Sequence, residues 1–78
     1  MVEARLFFRA IECDDGCWAC RQGRQEFDRH ARLQDALGHV TELAVADRPA
    51  EVFVHYLDGR IQSAAVFAGV EPPEEPSP

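Results

Sequence analysis

Lysine is missing from this chain: all eight of its basic residues are arginine. That absence fits two readings, the codon bias of a GC-rich genome or a use of arginine for bidentate anion contacts. Also missing is any apolar run near the roughly 18 residues of a membrane span. The opening Met1-Val2-Glu3-Ala4-Arg5 carries no apolar core of the kind found in signal peptides. No membrane association and no secretion are expected, which leaves a cytoplasmic location as the default. Cysteine is sparse and odd in number, at three, so a disulfide framework is set aside and free thiols in a reducing compartment are expected. There is no glycine-rich phosphate loop, no paired carboxylates and no nucleophile tied to a base, and a non-enzymatic protein is expected on that ground. At 78 residues the chain has no room for a second core.

What the sequence does contain suffices for one core. Forty-six percent of residues are hydrophobic, with five Phe and one Trp, against a formal net charge of -6. The charge is unevenly placed. Six Arg balance six acidic residues up to Arg32, whereas Arg48 and Arg60 face eight carboxylates beyond it, including Glu71, Glu74 and Glu75. An acidic chain is repelled by phosphate backbones and anionic lipid, so nucleic acid and membranes are not the expected partners.

The run Leu6 to Cys13 is rich in strand formers, and Asp14-Asp15-Gly16 turns it into a return strand, Cys17 to Arg21. Gln22-Gly23 offers a second turn into a short polar strand, Arg24 to Phe27, suited to a sheet edge. From Leu33 the period changes. Leu33, Ala36, Leu37, Val40, Leu43 and Ala44 fall on one arc of a helical wheel, which predicts an amphipathic helix over 32–45, ended by Asp47-Arg48-Pro49. Two strand-like runs, Glu51 to Leu57 and Arg60 to Phe67, flank Asp58-Gly59 and predict a hairpin. The expected fold is α+β: an antiparallel sheet of four to five strands with one amphipathic helix on one face, in the order β-β-(β)-α-β-β. Residues 1–69 form the domain, and the Pro/Glu-rich 70–78 a disordered tail.

Gly16 and Trp18 at the second strand, Gly23 at the next turn, a helix ending Leu43-Ala44, and Val54-His55 followed by Asp58-Gly59-Arg60-Ile61 together resemble a family of small bacterial domains, the domain-of-unknown-function family twenty-one eighty-eight. The likeness spans roughly Phe7 to Gln62, with Cys17 inserted between Gly16 and Trp18 and Arg32 where a small polar cap is usual. It implies a strand-rich α+β fold and no assigned activity.

The strands carry apolar residues toward both faces, and one helix covers only one of them. A homodimer, or an unidentified protein partner on the bare face, is therefore expected. The alternative is single-stranded nucleic-acid binding by an aromatic and basic face, for which Trp18 and Phe7 with Arg5, Arg9 and Arg21 are the candidates. A second alternative is a small zinc protein using Cys13, Cys17 and Cys20, whose Cys-x3-Cys-x2-Cys spacing also matches an iron-sulfur loop. Against both metal readings, the chain is too short for a radical enzyme, and Cys17 and Cys20 on a regular strand point to opposite faces. No cofactor is therefore implied. His55 is the one side chain near the Asp58-Gly59 turn without a structural reason, while His30 and His39 read as loop and helix-flank surface residues.

Overall fold

The computed structural model describes residues 5–69; the expected tail at 70–78 lies outside them. Six elements follow in order: β1 (Leu6–Glu12), β2 (Trp18–Gln22), β3 (Gln25–His30), α1 (Leu33–Ala46), β4 (Ala50–His55) and β5 (Ile61–Phe67). They form one five-stranded sheet, ordered β3-β2-β1-β4-β5, with α1 packed on one face.

The α+β class and the single helix stand, but the expected antiparallel sheet does not. β1 pairs with β2, β2 with β3 and β4 with β5 antiparallel, while β1 and β4 pair parallel, from Leu6 opposite Ala50 to Ile11 opposite His55. The spatial order also departs from chain order, since the first strand sits at the centre. The reason is the helix. Its 14 residues advance about 21 Å, close to the length of a six-residue strand, so α1 returns the chain to the end where β3 began. β4 must then run in the same direction as β3, which is also that of β1.

Both hairpins around β1–β2 and β4–β5 use one design. Cys13 pairs with Cys17, and Tyr56 with Arg60, across three-residue loops that end in Gly16 and Gly59. These glycines have φ of +87° and +93°, the left-handed geometry that closes a type I turn with a bulge. In each loop the preceding aspartate, Asp15 or Asp58, accepts the backbone N–H two residues on, at 3.0 Å. At Asp58 that bond, with the Arg60 guanidinium beside it, holds the carboxyl below its ordinary range.

Every fourth residue of α1, Ala36, Val40 and Ala44, is fully buried against Phe8, Ala10, Cys20, Ala50 and Val52 of the sheet, flanked by Leu33, Leu37 and Leu43. Alanine at both sides lets the helix lie close to the strands, and leaves Phe8 as the largest buried side chain. On the outer side of α1, Gly38 is exposed, and a Cβ added there meets nothing within 4 Å. Gly38→Ala should therefore stabilise the domain by about 0.5–1 kcal/mol through helix propensity alone, read as a higher urea midpoint at unchanged slope.

Candidate functional site

Partners in a strand ladder place their side chains on the same face of the sheet, so the register sorts every candidate. Phe8, Ala10 and Glu12 of β1 face the helix, and with them Cys20 and Trp18 of β2 and Asp28 and His30 of β3. The opposite face carries Phe7, Arg9 and Ile11 of β1, Arg21 of β2, Glu26 and Arg29 of β3, Glu51, Phe53 and His55 of β4, and Ile61, Ser63 and Val66 of β5.

The face away from α1 divides into two regions. Over β1, β4 and β5 its large side chains are apolar, with Glu51 and Ser63 between them: the Phe7 and Phe53 rings lie 5.8 Å apart, while Phe7, Ile61 and Val66 are 52%, 62% and 55% exposed. Over β2 and β3 it is charged with both signs. Arg9 donates to the carbonyl of Gly23 and Arg21 to that of Arg24, while Arg29 contacts Glu26 and Asp15. Ser63 donates to Glu51 at 2.9 Å, and Glu51 also contacts Arg5.

The expected aromatic and basic platform is split by the sheet itself. Arg9 and Arg21 lie on the bare face, whereas Trp18 lies on the helix side, edge-on to Tyr56 at 5.8 Å and packed against the core. Tyr56 in turn carries the Arg60 guanidinium over its ring and donates its hydroxyl to Gln62.

His55, at the apolar end of the bare face, has a pKa below its ordinary 6.5, first because of burial and then because of the Arg9 charge. Since the folded value lies below the unfolded one, the unfolded chain binds more protons between the two. His55 therefore costs nothing above pH 6.5 and destabilises increasingly as pH falls from there toward its folded value. An NMR titration of the ring should show an apparent pKa below 6.5, rising in an Arg9→Ala chain.

The three cysteines do not gather at one place. Cys13 and Cys17 flank the first turn, half-buried, while Cys20 is fully buried under α1, its Sγ 3.3 Å from the carbonyl of Ala36. Burial, with Asp28 beside it, pushes the Cys20 thiol up to about 12. What Cys20 does meet is a set of side chains from other elements. Ligand-type atoms of Cys20, Asp28, His30 and His39 all lie within 4.8 Å of one another. The His39 Nδ1 is 2.7 Å from one Asp28 oxygen, and the His30 Nε2 is 3.2 Å from the other. His30 closes the ladder of β3 opposite Trp18 and so is not the loop residue that the sequence suggested, while His39 sits on the flank of α1, partly exposed, with its ring turned to Asp28. Thiol, carboxylate and imidazole together form a donor set suited to a first-row divalent metal.

In comparisons with protein-family models, curated proteins and solved structures, none matches this chain. No helix among the described residues is long and apolar enough to cross a membrane.

Proposed function

We propose that this protein is a small non-enzymatic interaction module that pairs with a second copy of itself through the sheet face opposite α1. The observation that carries this is the apolar region of Phe7, Phe53, Ile61 and Val66 on a face that no element among the described residues covers. A sheet apolar on both faces needs a layer on each. A two-fold partner supplies the second layer with the same surface: apolar half meets apolar half at the roughly 10 Å spacing of stacked sheets, and no complementary surface has to be invented. The mixed charges of this face favour a second copy over a nucleic acid, because Glu26 on β3 and Glu51 on β4 interrupt the arginines that would track a phosphate backbone. Three thiols outside any disulfide favour a reducing compartment, hence the cytoplasm. The family resemblance adds an α+β domain with no assigned activity.

Sedimentation equilibrium at micromolar concentration should give the dimer mass. Phe53→Asp, at the centre of the apolar half, should weaken association by about 2 kcal/mol or more, roughly thirtyfold, as for a central interface anchor. A wild-type chain that stays monomeric under these conditions sinks the reading.

A further inference from the structure

The cluster beneath α1 carries an inference independent of the bare face. We infer that Cys20, Asp28, His30 and His39 form a binding site for one first-row divalent cation, zinc foremost, that ties β2, the edge strand β3 and the helix together. Each of the three elements brings at least one donor. Cys20 and Asp28 are direct ladder partners, His30 follows Asp28 by two residues on the same strand face, and α1 lays His39 across them.

Two observations separate this site from an ordinary polar cluster. The first is the chemistry of the set. One thiolate, one carboxylate and two neutral imidazoles supply two negative charges, enough to neutralise a divalent cation in a half-buried place where an uncompensated charge is costly. Nitrogen and sulfur donors favour zinc and its neighbours over calcium and magnesium, which take oxygen ligands. The second is the orientation of the polar atoms. Asp28 Oδ1, His30 Nε2 and His39 Nδ1 are buried and make no hydrogen bond, although each ring nitrogen lies within 3.2 Å of an Asp28 oxygen. They are close without being aligned as donor to acceptor. Buried polar groups are nearly always paired, and three orphans facing one another are accounted for if their lone pairs converge on a shared centre.

The dimensions agree. Bonds of about 2.0–2.3 Å around tetrahedral zinc place ligand atoms roughly 3.3–3.7 Å apart, so the present arrangement needs adjustments of about an ångström or less to close on a cation. On binding, the Cys20 thiol releases its proton to solvent and exchanges its contact with the Ala36 carbonyl for the metal. With four protein donors the coordination is complete, which makes this a structural site.

Protein isolated without chelator should carry about one equivalent of zinc per chain, measured by inductively coupled plasma mass spectrometry. Cobalt added to metal-free protein should give the intense visible bands of a tetrahedral ion together with a near-ultraviolet thiolate-to-cobalt absorption. Cys20→Ser should remove the thiolate absorption. Because Cys20 is buried and its replacement can disturb folding, His39→Ala, on a half-exposed helix position, provides the second variant. It should keep the helical circular dichroism and bind cobalt at least about a hundredfold more weakly. A Cys13→Ser, Cys17→Ser double variant should bind as the wild type does. The site is overturned by protein that binds neither metal at micromolar concentration, by a cobalt spectrum without the thiolate band, or by a band lost in the double variant and kept in Cys20→Ser.

Discussion

Phe8→Ala should destabilise the domain by about 3–5 kcal/mol, a large fraction of what holds it folded. Phe8 is fully buried at the centre of β1, paired with Val52 on one side and Gln22 on the other, and its ring stacks on Phe27 with centroids 6.5 Å apart. The rest of the buried cluster is small, with Ala10, Ala36, Ala44 and Ala50 among its members. These alanines have no side chain long enough to fill the space of a lost phenyl ring, so little can collapse into it. A change of this kind costs about 3–5 kcal/mol, whereas a domain of this length holds about 4–12 kcal/mol in all. The contrast is Phe7→Ala. Phe7 is the next residue along, but it lies on the bare face and is half exposed, so the monomer should lose less than about 1 kcal/mol. Urea titrations followed by far-ultraviolet circular dichroism separate the two; equal losses at positions 7 and 8 would refute the assignment of faces.

That assignment was partly legible from sequence and partly not, and the division has a physical cause. Hairpins are local, and Asp15-Gly16 and Asp58-Gly59 announce theirs because only particular residues tolerate the left-handed turn position. The helix was equally plain, since Ala36, Val40 and Ala44 recur at one period and are buried at it. The parallel pairing of β1 and β4 joins residues about forty positions apart, and depends on where the helix returns the chain, which no local pattern records. The proposed metal donors on β3 were hidden by a bulge. Between Cys20 and Arg21 the β2–β3 register shifts, so that Arg21 faces Glu26, Cys20 faces Asp28, and Phe27 is the extra residue. Phe27 and Asp28 therefore both reach the helix side, one into the core and one into the cluster, and the alternation that marks a strand is broken where β3 joins the proposed site. Read without the bulge, β3 ends at Phe27, and His30 falls into a loop. A carboxylate and a histidine two apart on a strand opposite a buried cysteine were the available signal. His39 had no such signal, because only the path of α1 over the sheet brings it there.

Zinc should raise the thermal unfolding midpoint of the metal-free protein by about 15–30 °C. The magnitude follows from linkage: a ligand held by the folded state alone, at a free concentration about a thousandfold above its dissociation constant, stabilises by about 4 kcal/mol. In a domain of this size each kcal/mol moves the midpoint by about 4–8 °C. The gain should be large here because of where the site sits. β3 is an edge strand, paired on one side only, and its interior anchors are Phe27 and the two ligands Asp28 and His30. Without a cation, Asp28 and both histidines hold buried polar atoms without hydrogen bonds, an arrangement that weakens the contact between β3 and α1. Binding converts that deficit into a cross-link between the edge of the sheet and the helix. Two consequences make the effect specific. His39→Ala should abolish nearly all of the zinc-dependent shift while leaving the metal-free midpoint close to that of the wild type, because a ligand matters only when the cation is present. Zinc should also raise the lowered midpoint of Phe8→Ala, whose lesion lies in the core and not in the site. A shift below about 4 °C under saturation, equivalent to less than about 1 kcal/mol, or a shift of equal size in His39→Ala, would show that zinc does not hold these elements together. Differential scanning calorimetry with and without chelator supplies the measurement, and hydrogen exchange would place the gain at the β3 and α1 amides.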